Sequence, residues 1–294
     1  EGVEVTNDAF NVVNNPDIDI VVELIGGTGI AKELVLKAIE SGKHVVTANK
    51  KLLAEYGNEI FAAAQQKGVT VAFEAAVAGG IPIIKSLREG LTANRIEWIA
   101  GIINGTSNFI LTEMREKGAA FADVLAEAQR LGYAEADPTF DIEGHDAAHK
   151  LTIMSAIAFG IPVQFSKAYL EGISRLTAED ISYAEEFGYR IKLLGITKRK
   201  PGGIELRVHP TLIPEQRLIA NVNGVMNAVL AKGDAVGQTM YCGAGAGAEP
   251  TASAVVADLV DVTRTLTADP HHRVPHLAFQ PNQMSDLPIL PIEE

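Results

Sequence analysis

Apolar residues in the first quarter of the chain fall in short unbroken runs separated by stretches of helical period. Residues 17–25, DIDIVVELI, make a nearly continuous apolar run of the kind a strand buried on both faces requires. Gly26-Gly27-Thr28-Gly29 then turns sharply, and a helix is predicted over 30–40, ended by Ser41-Gly42. A second strand is predicted over 44–47, a helix over 52–67 and a third strand over 69–73. Strands alternating with helices at this spacing predict a parallel, doubly wound sheet. No G-x-G-x-x-G follows a first strand, so residues 1–77 are expected to form the later part of a Rossmann-type dinucleotide-binding domain, the chain starting inside it.

After Pro82 the pattern changes. A helix is predicted over 83–89, a strand over 95–103 and helices over 108–117 and 121–131. A long helix is predicted from residue 145, with Ala147, Leu151, Met154 and Ala158 as a core stripe at helical spacing. Strands are predicted over 191–197, 204–209 and 227–232, with Pro201-Gly202-Gly203 turning between the first two. This is α+β texture with a mixed sheet, expected over 78–244 as a substrate domain. A last helix is predicted over 251–267, within a segment 245–267, and the proline-rich stretch 268–294 predicts a linker or tail. The fold class expected is α/β: a partial Rossmann-type parallel sheet joined to an α+β domain.

Length and composition sharpen this picture. The 294 residues, 47% hydrophobic and 21% charged, suffice for two cores. A net charge of -12 argues against nucleic acid or an anionic membrane as partner, since both need a basic footprint. The single cysteine, Cys242, leaves no internal disulfide and no cysteine-based metal cluster, which suits a cytoplasmic protein. No run approaches 18 uninterrupted apolar residues, and the first ten residues lack signal-peptide features.

The most informative stretch is GYAEADPTFDIEGHDAAHK, residues 132–150, with five carboxylates within twelve residues and a closing lysine. Asp146 and Lys150 stand four apart at the start of the long predicted helix, so they share one face. Asp137-Pro138 forces an extended or turning backbone, letting Glu135 and Asp141 fold back toward that helix. Acids around one amine suit a small substrate carrying an ammonium group, with the lysine left to move a proton. Spacing alone also allows a charged loop followed by a capped surface helix.

The pattern G-Y-A-E-x-D-P, then D, then G-x-D-x-x-x-K resembles the catalytic segment of homoserine dehydrogenases, which interconvert aspartate 4-semialdehyde and homoserine with a nicotinamide cofactor. VVTANK ending at Lys50, FEAAVAGGIPII over 73–84 and GIINGTSNFIL over 101–111 agree with it, in the right order, and the resemblance runs from residue 18 to about 267. It implies an NAD- or NADP-dependent enzyme of threonine, methionine and isoleucine biosynthesis, acting on a small amino-acid substrate, with the 78–244 domain also forming a homodimer or higher homo-oligomer.

Site residues follow from the same motifs. Lys150 is the candidate proton source, with Asp146 one turn earlier to hold it and Lys50 given a catalytic and cofactor role. Glu135, Asp141 and Tyr133 are implied to meet the substrate, and the free N–H groups of Gly105 and Thr106, between a strand and a helix, to receive its carboxylate. Gly26, Gly27 and Thr28 are expected at the cofactor, and Gly245 and Gly247 resemble a second cofactor-proximal turn. Glu74, Val77, Gly79 and Ile81 match the segment that holds a monovalent cation, usually sodium, through one carboxylate and backbone carbonyls. Ala78-Gly79 replaces the family's Gly-Ala there. His145 and His149 lack the pattern of a zinc protease and are expected as a helix-surface pair. A calcium loop is set aside because D-x-[DN]-x-[DN]-G is absent. Two rivals stand: a semialdehyde dehydrogenase, which needs a nucleophilic cysteine, and a non-catalytic dimerisation or regulatory module.

Overall fold

The computed structural model describes residues 2–266 and 284–291. Its first unit runs α1 (Ala9–Asn14), β1 (Ile20–Glu23), α2 (Ile30–Glu40), β2 (His44–Thr47), α3 (Lys50–Lys67) and β3 (Val71–Ala72). The strands pair in parallel in the order β1-β2-β3. All four residues of β2 are buried, as expected of a middle strand with helices nearby. Its two polar ends are satisfied: His44 Nδ1 accepts from the Thr70 N–H (3.0 Å), and Thr47 donates to Glu23 (2.7 Å). α3 begins two residues before the helical period predicts because Asn49 caps it, its side chain accepting from the Leu52 N–H at 3.0 Å.

A buried loop leads through α4 (Ile83–Lys85) and a wide turn to the second unit. There β4 (Ile96–Ile102), α5 (Gly105–Lys117), α6 (Phe121–Arg130), α7 (Thr139–Ile142) and α8 (His145–Phe159) precede β5 (Tyr169–Leu170) and α9 (Ala178–Glu186). The strands β6 (Tyr189–Lys200), β7 (Gly203–Pro214), β8 (Met226–Gly233) and β9 (Gly237–Ala244), the helix α10 (Ala248–Leu266) and β10 (Ile289–Leu290) complete it. The sheet order is β10-β7-β6-β4-β8-β9, with β5 also on β7. β5 and β10 join in parallel and the other pairs are antiparallel, so this sheet is mixed.

α8 lies on the sheet, with Ser155 Oγ 2.8 Å from Thr197 Oγ1 on β6. All its residues except His145 and Ala158 are buried, so it is a central helix rather than a striped one. α3 packs against α8. A reciprocal pair braces that contact: Asn58 Nδ2 donates to the Val163 carbonyl and the Val163 N–H donates to Asn58 Oδ1, both at 2.9 Å.

Residues 284–291 depart from the expected linker or tail. Ser285 donates to the Gly160 carbonyl, Ile204 donates to the Pro288 carbonyl, and Ile289 is buried beside β7. An open sheet edge supplies the backbone partners that local pattern does not reveal. Residues 267–283 and 292–294 of that stretch lie outside the described residues. Among the described residues no helix is long and apolar enough to cross a membrane.

Asn58→Ala leaves both polar groups of the buried Val163 backbone without their partner. A loss of about 1–3 kcal/mol in unfolding free energy is expected by denaturant titration; an unchanged midpoint and slope would show that α3 and α8 pack independently of the brace.

Candidate active site

Lys50 at the first turn of α3 and Asp146 and Lys150 on the first turns of α8 meet where the two units touch. Lys50 Nζ lies 2.8 Å from Asp146 Oδ1, and Lys150 Nζ lies 2.6 Å from Asp146 Oδ2. Lys150 also donates to the Ile103 carbonyl at 2.9 Å. One carboxylate thus bridges two ammonium groups. Asp146 and Lys150 side chains are 4% and 8% exposed while Lys50 is 35% exposed, so the pair is buried and the surface ion-pair alternative falls.

Burial opposes ionisation of Asp146, but the charges of Lys150 and Lys50 outweigh it and hold the carboxyl well below the usual carboxylate range. For Lys150 burial dominates, and with the nearby Lys50 charge it pulls the amine below its ordinary value against the pull of Asp146. Asp141 is pushed up, chiefly by burial. The arrangement is an ionised carboxylate beside an amine whose proton is easier to release than in water.

Asn104, which caps α5, ties the acids together. Its Oδ1 accepts from the Ser107 N–H (2.8 Å), and its Nδ2 donates to Asp141 Oδ1 (2.7 Å) and to Asp146 Oδ2 (2.9 Å). Sequence reading singled out the turn after Asn104 for its backbone and missed this side chain; its cap position after a strand was the available signal. Thr106 Oγ1 donates to the Tyr133 carbonyl at 2.6 Å, and the Tyr133 ring packs edge-on against Phe109, centroids 5.0 Å apart.

These residues wall a cavity of about 370 Å³, lined by Lys50, Asn104, Gly105, Thr106, Tyr133, Asp141, Asp146 and Lys150 together with Val225 and residues 244–247. Gly245 and Gly247 are therefore brought to it. Gly245 backs onto the Asn227 amide so closely that a Cβ there would overlap it. Glu135 is not brought in. It is exposed and absent from the cavity wall. Asp137 accepts from the Thr139 N–H (3.1 Å) just before α7, which carries Asp141, while Gln129 Nε2 donates to the Glu135 carbonyl (3.0 Å).

Gly26, Gly27 and Thr28 follow β1 at its carboxyl end, outside the wall of that cavity. Gly26 and Gly27 have φ of 81° and 69°, which side chains disfavour. Buried Glu23, unremarked in the sequence, shapes this turn by accepting from the Ile25 and Gly26 N–H groups, and Asn49 Nδ2 donates to the Gly27 carbonyl (2.8 Å).

Glu74, Val77, Gly79 and Ile81 are all buried in one loop close beneath the 244–247 turn: the Gly80 N–H donates to the Ala244 carbonyl at 3.0 Å, and Gly79 passes against the Gly245 carbonyl. Ala78 and Gly79 both take positive φ, 58° and 53°. The Glu74 oxygens accept from the Ile84 and Lys85 N–H groups, both at 2.8 Å. Burial raises its carboxyl to about 7, and Asp258 of α10 adds like charge. Among the described residues no three His, Cys, Asp or Glu side chains cluster for a metal.

His149 corrects the expected surface pair. It is 2% exposed, with Phe165 and Phe140 rings edge-on at 4.2 and 5.2 Å, because α8 is buried nearly all round. Cys242 is exposed on β9 and absent from the cavity wall.

Comparison with known proteins bears on this geometry. A family model described as homoserine dehydrogenase matches residues 82–260, and one described as the homoserine dehydrogenase NAD binding domain matches residues 1–74. The chain belongs to the homoserine dehydrogenase family. The homoserine dehydrogenase of Pseudomonas aeruginosa is 73% identical over 98% of this chain and 67% of its own length, and that of Bacillus subtilis 48% identical over 89% and 60%. The crystal structure of a homoserine dehydrogenase from Thiobacillus denitrificans is 80% identical, with a TM-score of 0.95 over 97% of this chain and 66% of that one. A hyperthermophilic archaeal homoserine dehydrogenase solved with NADPH is 30% identical, with a TM-score of 0.78 over 89% and 77%. The chain thus spans about two thirds of the length of its closely matching relatives.

His149 also sets an acid limit. Burial first, against the pull of Asp146, lowers its pKa from 6.5 to about 4. Between those values the unfolded chain takes up a proton that the folded chain refuses, so stability falls as pH drops through this window, by on the order of 3 kcal/mol. His149→Phe is expected to flatten the dependence of melting temperature on pH between 6.5 and 4. An undiminished slope in the variant would assign the acid loss to other groups.

Proposed function

We propose that this chain interconverts L-homoserine and L-aspartate 4-semialdehyde with NAD or NADP, in the biosynthesis of threonine, methionine and isoleucine. The observation that carries the reading is the buried Lys50–Asp146–Lys150 group in the wall of a cavity faced by the Gly245–Gly247 turn. A bound nicotinamide would supply the hydride chemistry between the alcohol carbon and the aldehyde. Gly26, Gly27, Thr28, Lys50, Gly245 and Gly247 would hold that cofactor: the glycine turns leave room for close backbone approach, and α3 begins at the carboxyl edge of a parallel sheet, where ligands of such folds bind.

Lys150 takes the hydroxyl proton in the oxidative direction and donates it to the carbonyl oxygen in the reverse. Its lowered pKa supports that role, and Asp146, ionised throughout, orients it. Asp141 offers a carboxyl for the substrate ammonium, with Tyr133 beside it, and the Gly105 and Thr106 N–H groups at the start of α5 suit the substrate carboxylate. The charge of Lys50, the more exposed amine, adds to burial in lowering the pKa of Lys150. The exposed position of Cys242, away from the cavity, weighs against a thioester-forming semialdehyde dehydrogenase, and the complete amine and carboxylate group weighs against a non-catalytic module.

Two further expectations belong to the same reading. The sheet face opposite α8 carries half-buried Trp98, Ile196 and Met240, which suits a homodimer or higher homo-oligomer. Glu74 with the carbonyls of Val77, Gly79 and Ile81 would hold a monovalent cation, sodium or potassium. The donor set is all oxygen, and a cation there would offset the buried charge of Glu74 and Asp258. A net charge of -12 argues against a nucleic-acid or anionic-membrane partner and is in keeping with a cytoplasmic enzyme.

In the full-length protein, Lys150→Ala is expected to lower kcat by about 10² to 10⁴ with cofactor affinity retained. Lys150→Arg should fail almost as badly, since a guanidinium keeps its proton at working pH. A folded Lys150→Ala variant with near-normal kcat would move the proton to another group. For the cation, melting temperatures in sodium or potassium chloride should exceed those in a bulky ammonium chloride at equal ionic strength, because a ligand of the native state alone stabilises it. Glu74→Ala should erase that difference, and identical wild-type melts would remove the cation.

A further inference from the structure

Lys192 of β6 is a buried amine that the chemistry above does not use. It is 1% exposed, on the sheet face turned away from α8. Its three N–H donors meet three neutral acceptors: the Val222 carbonyl at 2.6 Å, Asn108 Oδ1 at 3.0 Å and Asn223 Oδ1 at 3.2 Å. Among the described residues no carboxylate forms an ion pair with it. The charged groups around it are Arg115 and Glu116 of α5, Arg190 of its own strand and, beyond Arg115, Glu185 of α9. Burial and the two guanidiniums lower its pKa to about 7. An apolar side chain of similar length would fill this place without that penalty, so the distinctive property of the amine is its three converging donors.

Those donors hold the turn 222–226. The same turn is gripped from α5 by residues on one helix face. Asn108 Nδ2 donates to the carbonyls of Val222 (3.1 Å), Gly224 (2.9 Å) and Met226 (3.2 Å). Thr112 Oγ1 accepts from the Gly224 N–H at 3.1 Å, and Arg115 Nη1 reaches Asn223 Oδ1 at 3.4 Å. At the far end of the turn Val225 lines the cavity, and its carbonyl presses on Gly105, where an added Cβ would come within 2.7 Å. Lys192 and the cavity are therefore joined through a turn with little freedom to shift.

We propose that Lys192 is a positioning residue for the substrate cavity: by holding the turn 222–226 it places Val225 and the Gly105–Thr106 N–H groups, and so sets affinity for the amino-acid substrate without touching it. This rests on the reading of the cavity as the homoserine site. The proton is moved by the Lys150 group on the other face of the sheet, so the rate of the chemical step does not depend on Lys192.

The test is steady-state kinetics of the full-length protein with homoserine and cofactor, beside thermal melts. Lys192→Met should raise KM for homoserine about ten-fold, ~1.4 kcal/mol, with kcat within about two-fold and cofactor KM unchanged. Asn223→Ala, which removes one acceptor at a half-buried position, should move KM the same way by a smaller factor. An unchanged KM in both variants, even with a lowered melting temperature, would reduce Lys192 to a stability element and overturn the proposal. If Lys192→Met does not fold, the KM of Asn223→Ala decides alone. A wild-type protein that binds cofactor but does not oxidise homoserine would overturn the reading of the cavity, and this proposal with it; a wild type that turns over normally confines failure to Lys192.

Discussion

The site depends on one carboxylate that stays ionised while almost fully buried. Asp146 can do so only because two ammonium groups reach it from different helices and the Asn104 amide satisfies it further. Isolated in the same place, it would be driven to protonate. The two amines are not equivalent. Lys150 comes with Asp146 on the same helix, whereas Lys50 arrives only when α3 is seated on α8. The packing of the two units is therefore an electrostatic requirement of the site, and the brace between Asn58 of α3 and Val163, just after α8, serves the same contact.

A second constraint ties the glycine turn after β9 to the junction between the units. The turn 244–247 rests on the buried 74–82 loop through the Gly80 N–H and the close passage of Gly79. α10 leaves that turn and returns Asp258 to accept from the Glu74 N–H at 2.8 Å. The loop that joins the units is thus held at both ends by the segment that follows the sheet. Burial raises both Glu74 and Asp258, so this junction carries a charge cost of its own.

Much of the architecture was legible. β2, α2 and the start of α8 lie where period and caps place them, since hydrophobic period is a local property. β9 was not legible: GQTMYCGA is small and polar with little burial, and pairing with β8 makes it a strand. α9 was overlooked despite a local signal, the Thr177–Asp180 capping box. β10 needed the open edge of β7, which no local pattern records.

At the site the same division holds. The i,i+4 spacing of Asp146 and Lys150 is determined by sequence once a helix forms, because helix geometry puts both on one face. Family motifs marked Lys50, Asp141 and the Gly245 turn as belonging with them. Only the tertiary structure decided that Asp146 has two cationic partners, that Asn104 links the acids, that Glu135 stays outside and that His149 is buried. Each depends on which segment covers which, and the energy of a buried charge is set by neighbours distant in sequence, so local spacing cannot encode it.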